Sequence, residues 1–360
     1  MFNGWDAEGW CHERPSGQNP RVRVPYEQAS RRTQLQVLRR LARQALAAWE
    51  LPEPTLRLIN HGYNATFGVR AGDARYALRI NVQAHKEPGH LVAELAWLDA
   101  LGSDPELTVP SPQRTRTGEL STMVPSSEFG RPLPAVLFSW LPGHDLGETP
   151  TRAQCLAAGR LTARLHGHAE GWTMPPGADL PGIDSVLMNV PDRLAGEVPG
   201  LDPESHSVIR AAMGQIQERY DQVVARGPRI ALHADLHGWN LRWNAGRLAV
   251  LDFDDAGWGV PTQDLAISAY YLRDDARREQ WWLEGYAQER SLPVFSTDEY
   301  EAVVASRNLV LANDLVTTAH ATYRGWLPRY LSNTVARMRN YLETGRYLAN
   351  APGVVPLDGG

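Results

Sequence analysis

Hydrophobic and polar positions along the first 141 residues predict a small domain rich in strands. Leucine and alanine recur at helical spacing over 33–49, and this pattern predicts a helix. Residues 55–82 predict three short strands, two of which form a hairpin around the turn at 71–73. The other elements expected here are, in chain order, a helix at 91–101, strands and loops at 105–135, and a short apolar strand at 136–141. That strand stops at Pro142-Gly143, which indicates a hinge between domains.

Beyond residue 150 the periodicity becomes mostly helical. Helices are predicted at 151–168, 205–225, 264–273, 277–289, 297–320 and 328–347. One island of β-structure interrupts them, consisting of a strand at 229–233 and a hairpin that joins 241–243 to 247–253. The sequence therefore predicts an α+β fold with two lobes. The expected domains are a flexible N-terminal extension at 1–30, a β-rich N-lobe at 31–141, a helical C-lobe at 142–350 and a tail at 351–360.

The amino-acid composition limits which kinds of partner and which cellular compartment are expected for this protein. Hydrophobic residues make up 43% of the chain, which is enough for sizeable cores, and the net charge of −5 argues against a nucleic-acid partner. The two cysteines form neither a disulfide framework nor a metal set, so we expect a cytoplasmic protein. No apolar run of about 18 residues predicts a membrane span, and residues 1–26 lack the apolar stretch of a secretory signal. Lys86 is the only lysine, so arginine supplies nearly all of the positive charge.

The most informative stretch joins two polar motifs across the predicted hairpin. His233, Asp235 and Asn240 lie on the loop that precedes the hairpin, and Asp252 ends its second strand. Phosphoryl transfer requires a carboxylate near the attacking hydroxyl and oxygen ligands for Mg²⁺. We expect Asp235 to orient that hydroxyl and accept its proton, while Asn240 and Asp252 bind Mg²⁺. The same residue types occur at this spacing in protein kinases.

Each of these residues also has a purely structural interpretation. Asp235 can cap the loop, and Asn240 can end a turn. Asp252 is expected inside an apolar strand, where an unpaired carboxylate costs several kcal/mol, and this favours a metal ligand. We expect His233 to brace the loop, and His237 either to brace it or to face the substrate.

Other acidic residues near this stretch have simpler interpretations. Asp254 and Asp255 form an acidic loop tip of the kind that is usually solvated. Asp264 precedes an apolar helix and is interpreted as its N-cap.

The small lobe is expected to hold the nucleotide. Arg79 lies in an apolar strand, and Glu94 falls on the apolar face of the helix at 91–101, where a lone charge is costly. We therefore predict that Arg79 and Glu94 pair with each other; the alternative is an exposed strand arginine. Gly62 permits close backbone approach to phosphate, and Asn64 can bond to the loop or to phosphate oxygens.

These residues resemble the aminoglycoside phosphotransferase superfamily, which includes aminoglycoside, choline and homoserine kinases and bacterial stress-response Ser/Thr kinases. The resemblance covers about residues 55–345 and is strongest in LHADLHGWNL (232–241) and VLDFDDAGWGVPTQDLA (250–266). It implies a bilobal, protein-kinase-like fold with ATP as co-substrate, GTP not being excluded. By position, Asp235 matches the catalytic aspartate, and Asn240 and Asp252 match the Mg²⁺ ligands.

The resemblance also assigns the nucleotide site. Arg79 stands where the phosphate-binding lysine usually falls, Glu94 matches its helix partner, and the backbone of Ser139 to Leu141 is expected to face the adenine. Ala234 replaces the usual glycine of the H-G-D motif, a change expected to cost little. Arginine in place of lysine keeps the charge but changes its geometry.

Three functions remain open on the sequence. The first is a kinase that phosphorylates a hydroxyl of an amino alcohol, sugar or aminoglycoside. The second is a protein Ser/Thr kinase of the stress-response type, and the third is a nucleotide-binding pseudokinase. A polycationic aminoglycoside needs an acidic pocket, to which the carboxylates of Asp254, Asp255, Asp274 and Asp275 can contribute.

Overall fold

The computed structural model describes residues 26–62, 64–82, 87–318 and 320–357. Contacts between residues divide the chain into two units. The described residues of the first unit are 26–62, 64–82, 110–140 and 320–321, and those of the second are 87–109, 141–318 and 322–357. The extension predicted at 1–30 lies outside the described residues except for its last five positions.

The first unit is built on one antiparallel sheet. Its elements are α1 (Arg31–Leu46), β1 (Thr55–His61), β2 (Ala65–Ala71), β3 (Ala74–Ile80), β4 (Thr122–Val124) and β5 (Leu133–Ser139). The strand order is β1-β2-β3-β5-β4. The turn between β2 and β3 has Gly72 at φ +58°, a conformation that glycine adopts without strain, so the predicted hairpin forms in register.

Helix α1 and the sheet enclose the core of the first unit. Ser30 caps the helix, since its hydroxyl accepts from the Thr33 amide at 3.3 Å. Leu38 and Leu41 of α1 are fully buried in the same cluster as Phe67 and Leu78 of the sheet. This packing fixes β3, which carries Arg79.

The second unit is mostly helical. Its elements are α2 (Pro88–Leu101), β6 (His144–Asp145), α3 (Arg152–Gly171), α4 (Pro203–Val224), β7 (Ile230–Leu232), β8 (Leu241–Asn244), β9 (Arg247–Val250), β10 (Gly257–Gly259), α5 (Pro261–Tyr270), α6 (Ala276–Glu289), α7 (Thr297–Val316) and α8 (Ala321–Thr344). β6, β8 and β9 form one small antiparallel sheet, and β10 pairs with β7 in another. The predicted α+β fold class is confirmed, with one unit built on a sheet and the other mostly helical.

Several predicted boundaries in the second unit are wrong, and three of them bear on the site or on proline. Helix α5 begins at Pro261 rather than at Asp264, because proline is favoured at the first helical position. Helix α8 contains Pro328 instead of starting there; burial of Leu331 and Met338 offsets the cost of a proline in a helix. Strand β9 ends at Val250, before Asp252.

None of the helices in the described part of the chain combines the length and the apolar character that crossing a bilayer requires.

Candidate active site

The loop between β7 and β8 carries the predicted catalytic residues. Ala234 lies at its start, fully buried, with φ +61°. This is left-handed backbone, where a Cβ atom costs roughly 1–2 kcal/mol. The expectation that alanine costs little at this position is therefore wrong. Gly238, in the same loop, lies so close to the carbonyl of Gly147 that an added Cβ would be 1.9 Å from the oxygen.

Asp264 braces the start of this loop. Its two carboxylate oxygens accept the backbone amides of His233, at 3.1 Å, and Ala234, at 2.6 Å. His166 of α3 lies 3.1 Å from the same carboxylate. The predicted N-cap role is wrong, since Asp264 lies inside the first turn of α5 and its carboxylate bonds to the loop instead.

His233 braces the loop, as predicted. Its Nε2 lies 2.8 Å from the carbonyl of Leu251, and its Nδ1 accepts the amide of Asp235 at 3.3 Å. This pattern requires a neutral ring with the proton on Nε2. Burial lowers the pKa of His233, although Asp264 opposes the shift, so the ring stays in the form that both hydrogen bonds need.

Four side chains surround the carboxylate of Asp235. The hydroxyl of Tyr271 donates to Oδ1 at 3.0 Å, and Nη2 of Arg307 donates to the same oxygen. The Oδ2 atom has longer contacts, 3.4 Å to Nε2 of His237 and 3.4 Å to Nδ2 of Asn240. Oδ1 is therefore saturated, and Oδ2 is the oxygen with capacity for a further hydrogen bond.

Charge keeps Asp235 ionised. Burial raises the pKa of this carboxyl, but Arg307, followed by His237, outweighs burial and holds the pKa well below its usual range. The pKa of Arg307 is in turn raised, since Asp235 opposes the effect of its burial. The two groups form an ion pair with only 4% of the arginine side chain and 18% of the aspartate side chain exposed.

Asn240 has its amide oriented by the loop. The side-chain Nδ2 of Asn240 donates to the backbone carbonyl of Asp235 at 2.9 Å. The backbone carbonyl of Asn240 accepts the backbone amide of Leu251 at 2.8 Å. Since the amide nitrogen is used in this bond, Oδ1 is the atom with capacity for a metal ion.

Asp252 is exposed and follows the end of β9 in left-handed backbone, at φ +59°. The argument that a buried carboxylate in a strand needs a metal is therefore wrong. Within the described ranges, no group of three or more His, Cys, Asp and Glu side chains is arranged to hold a metal ion. Mg²⁺ commonly takes only one or two carboxylates, together with waters and phosphate oxygens. The oxygen donors of Asn240 and Asp252 fit such a site.

Helix α2 packs against the segment that follows Asp252. The ring of Phe253 meets Trp97 edge-on, with 5.3 Å between centroids, and lies 4.7 Å from the ring of His233. Nε2 of His90 lies 2.9 Å from the carbonyl of Asp254. These contacts tie the second acidic motif to α2, the helix that carries Glu94.

Arg79 is buried on β3, with 6% of the residue exposed, which excludes the interpretation as an exposed strand arginine. Its Nε donates to Oδ1 of Asn81 at 3.1 Å, and its guanidinium lies 5.3 Å from the centroid of the Phe138 ring. Glu94 is buried on α2, in the second unit, with 1% exposed. The pairing of Arg79 with Glu94 stays a prediction.

The other predicted nucleotide residues lie at the ends of strands. The amide of Gly62 donates to the carbonyl of Asn64 at 3.0 Å, which closes the tight turn between β1 and β2. Ser139 ends β5, and its amide donates to the carbonyl of Ser111 at 2.9 Å, so this amide is already used within the protein. Leu141 follows two residues later, at the start of the second unit.

Sequence reasoning missed Arg307 and Tyr271. Arg307 lies in α7, which is buried over most of its length, and Tyr271 directly follows α5. A usable signal was present in the apolar run VVASRNLVLA at 303–312, where a buried arginine needs an anionic partner. Its partner lies 72 positions away in the chain, so no local pattern identifies it.

Comparison with known proteins places this chain among kinases. The structure of a microcompartment-associated aminopropanol kinase has a TM-score of 0.73 and 26% identity, and covers 86% of this chain and 99% of that chain. The structure of amicoumacin kinase hAmiN in complex with AMP-PNP, Ca²⁺ and Ami has a TM-score of 0.66 and 17% identity, covering 84% and 92% of the two chains. At 17% identity, this second likeness shows only that the two chains share the kinase-like fold.

Sequence comparison agrees with the structural comparison. The homoserine kinase of Phenylobacterium zucineum is 27% identical over 209 residues, which are 57% of this chain and 59% of that enzyme. This chain thus spans less than two thirds of that relative's length. Residues 55–301 match the model of the phosphotransferase enzyme family, and this range contains both polar motifs. The chain therefore belongs to the phosphotransferase enzyme family and is an enzyme of the kinase type, with an alcohol group as acceptor.

Proposed function

We propose that this enzyme transfers the γ-phosphate of ATP to a hydroxyl group of a small molecule. The observation that carries the proposal is the environment of Asp235, an ionised carboxylate with one saturated oxygen and one oxygen with only long contacts. Such a group can accept a hydrogen bond from an acceptor hydroxyl through Oδ2 and direct its oxygen at the phosphate.

In the proposed reaction the acceptor oxygen forms a bond to the γ-phosphorus, and the bond to the bridging oxygen of ADP breaks. ADP leaves with the electron pair, and the hydroxyl proton passes to Oδ2 of Asp235 and then to solvent. The low pKa of Asp235 suits a loose transition state, in which the hydroxyl proton is lost late and orientation matters more than basicity.

Asn240 and Asp252 would hold Mg²⁺ through Oδ1 and a carboxylate oxygen. When bound there, the ion offsets the negative charge of the phosphates. We assign the phosphate grip to Arg79, Glu94 and the turn at Gly62 and Asn64. The adenine would lie against the backbone from Ser139 to Leu141, and GTP remains a candidate nucleotide.

The acceptor class is argued from the comparisons and from charge. The solved structure with 26% identity is an aminopropanol kinase, and a sequence relative is a homoserine kinase, so we favour an amino alcohol or hydroxy amino acid. Two of the carboxylates expected in an acidic pocket for a polycationic aminoglycoside are already neutralised by arginine. Asp274 pairs with Arg278 at 2.6 Å, and Asp275 pairs with Arg277 at 2.8 Å.

The test is phosphoryl transfer to a defined panel of acceptors. The purified enzyme is incubated with Mg²⁺, γ-labelled ATP and, in separate reactions, aminopropanol, homoserine, choline, a sugar, an aminoglycoside and a desalted cell extract. Label in a small molecule supports the proposal. Asp235→Asn should lower the rate by about 10²–10⁴-fold, since it removes the proton acceptor but keeps the shape. The exposed acid variant Asp274→Asn serves as the matched control and should keep the full rate.

The other outcomes decide between the alternatives. Label in the proteins of the extract would establish the protein-kinase hypothesis. Nucleotide binding without label in any fraction would favour the pseudokinase hypothesis. Full transfer by Asp235→Asn would remove Asp235 from its proposed role.

A further inference from the structure

Arg307 is the one basic residue of helix α7 and lies in its buried middle. Only 3% of the residue is exposed, and α7 is buried on both sides of it. A buried charge is retained only where partners compensate for its lost hydration. Its strong partners in the structure are Asp235 and Tyr271, and both belong to the site.

Arg307, Tyr271 and Asp235 form a closed ring of hydrogen bonds. Nε of Arg307 donates to the Tyr271 hydroxyl at 3.0 Å, and Nη2 donates to Oδ1 of Asp235. The Tyr271 hydroxyl in turn donates to the same Oδ1 at 3.0 Å. One edge of the planar guanidinium thus bridges the phenol and the carboxylate, and a lysine ammonium cannot reproduce this two-point geometry.

The remaining contacts of Arg307 are weak by comparison. Nη1 lies 3.9 Å from the thioether sulfur of Met188, and Nη2 lies 4.0 Å from a carboxylate oxygen of Asp255, whose side chain is 44% exposed. On the other side of the carboxylate, the ring of His237 packs against Tyr271 at a tilt of 42°, with 4.6 Å between ring centroids. The orientation of Arg307 is therefore set mainly by the ring with Asp235 and Tyr271.

We propose that Arg307 and Tyr271 are positioning residues for phosphoryl transfer, which fix the Asp235 carboxylate so that Oδ2 meets the acceptor hydroxyl. The inference rests on the proposed function of Asp235. The terminal torsion of an aspartate is broad and nearly two-fold, so a carboxylate without such a ring rotates. A misplacement of about 1 Å at a reacting group can lower a rate by about 10²-fold.

Two conservative variants test the ring. Arg307→Lys keeps the charge but loses the bridge, and Tyr271→Phe keeps the ring contact with His237 but loses the hydroxyl. We expect a fall in kcat of about 10²-fold for Arg307→Lys and about 10-fold for Tyr271→Phe. The Kd of a fluorescent ATP analogue with Mg²⁺ should stay within about two-fold of the parent value, because neither residue is assigned to the nucleotide.

A matched control separates positioning from general stability. Arg273 of the second unit has only 12% of its side chain exposed, and its hydrogen bonds go to Glu279 at 2.6 Å, to Glu301 at 2.9 Å and to the carbonyl of Tyr347 rather than to Asp235. Arg273→Lys should lower the melting temperature but leave kcat unchanged. The turnover assay uses Mg·ATP, with water as acceptor where the panel has given no better one.

Two further measurements do not depend on the size of the rate. Crystal structures of Arg307→Lys and Tyr271→Phe should show the Asp235 carboxylate rotated or in two orientations. Millimolar guanidinium should restore part of the activity of Arg307→Ala, because it can occupy the vacated site, and should not restore Asp235→Asn.

Unchanged kcat together with an unchanged Asp235 orientation in Arg307→Lys and Tyr271→Phe would overturn the proposal. A loss of kcat in Arg273→Lys as large as that in Arg307→Lys would also overturn it, because the loss would then reflect lower stability of the protein rather than the position of Asp235. Failure of the proposed function is a separate result, seen as full transfer by Asp235→Asn whatever the Arg307 variants do.

Discussion

At the scale of single residues, Ala234 shows what the catalytic loop demands of its backbone. Its φ of +61° is one that glycine adopts freely and alanine adopts with strain. The strain persists because Asp264 accepts the amide of Ala234 at 2.6 Å and holds the peptide in place. A methyl group thus occupies a fully buried position whose backbone geometry favours glycine.

Ala234→Gly should raise the free energy of unfolding by about 1 kcal/mol. Relief of the left-handed strain gains roughly 1–2 kcal/mol, and the greater freedom of glycine in the unfolded chain offsets about 0.4–1 kcal/mol of this gain. Urea unfolding of the parent and the variant measures the difference.

The matched control is Ala231→Gly, three positions earlier in β7. Ala231 is also fully buried, but it lies in extended backbone, so the variant should be less stable than the parent. Equal changes in both variants would contradict the strain at Ala234.

A second residue, His61, has a lowered pKa that makes the stability of the protein depend on pH. Burial, followed by the nearby His320 and Arg31, lowers the pKa of His61 to about 4. The unfolded residue titrates near 6.5, so between pH 6.5 and about 4 the unfolded chain binds a proton that the folded protein does not. The contribution of neutral His61 is complete above pH 6.5 and is lost as the pH falls through this window.

His61→Gln should reduce the loss of stability between pH 7 and pH 5. The glutamine keeps a polar partner for the Tyr26 hydroxyl, which lies 2.7 Å from Nε2 of His61. Unfolding by urea at the two pH values measures the change, with the exposed His144→Gln as control. A His61 resonance that titrates near 6.5 in the folded protein would refute this account.

At the scale of elements, Asp264 joins α5 to the catalytic loop and to α3. Its carboxylate accepts two backbone amides and lies against His166, whose Nδ1 is 3.0 Å from the hydroxyl of Tyr286 on α6. Two helices, α5 and α3, and one loop therefore meet at a single fully buried carboxylate, and α6 is linked to it through His166.

Asp264→Asn should lower the free energy of unfolding by about 2–3 kcal/mol. One oxygen of the pair becomes an NH₂ group, which cannot accept a backbone amide, so a buried donor loses its partner. Denaturant unfolding measures the loss, and turnover should fall with it because the loop carries Asp235. The surface variant Asp274→Asn breaks an ion pair whose carboxylate is exposed, and should change stability by less than about 1 kcal/mol. Similar losses in the two variants would argue against the bracing role.

The same scale shows what the sequence can and cannot predict. The hairpins at Gly72 and Gly246 follow from local turn chemistry, and both formed where they were predicted. The role of Asp264 was missed because an acidic residue in the first turn of a helix has a local explanation, while its actual partners lie about 30 positions earlier. Asp252 was placed in a strand because the apolar run continues past Val250, where the pairing of β9 stops.

At the scale of the whole molecule, nucleotide binding should stabilise the folded chain. A ligand that binds only the folded state raises its stability by about 2.7 kcal/mol at one hundred times its Kd. We therefore expect Mg·ATP to raise the melting temperature. Removal of Mg²⁺ with EDTA, or the variant Asp252→Ala, should remove most of this rise.

Thermal unfolding with and without Mg·ATP measures this linkage. Asp255→Ala is the matched control, as it removes a neighbouring exposed carboxylate that is not assigned to the metal. The same rise for Asp252→Ala as for the parent, with the same dependence on Mg²⁺, would show that Asp252 does not hold the ion.

The distance along the chain between Asp235 and Arg307 also has a consequence for biosynthesis. The ribosome completes both polar motifs well before it reaches α7, and the 72 residues from 236 to 307 take roughly 4 to 14 seconds to translate. During that interval the emerging chain carries its catalytic loop without the arginine that holds the aspartate. A chain truncated before residue 307 therefore contains every residue of the two polar motifs. It should nevertheless be unable to turn over ATP at the normal rate.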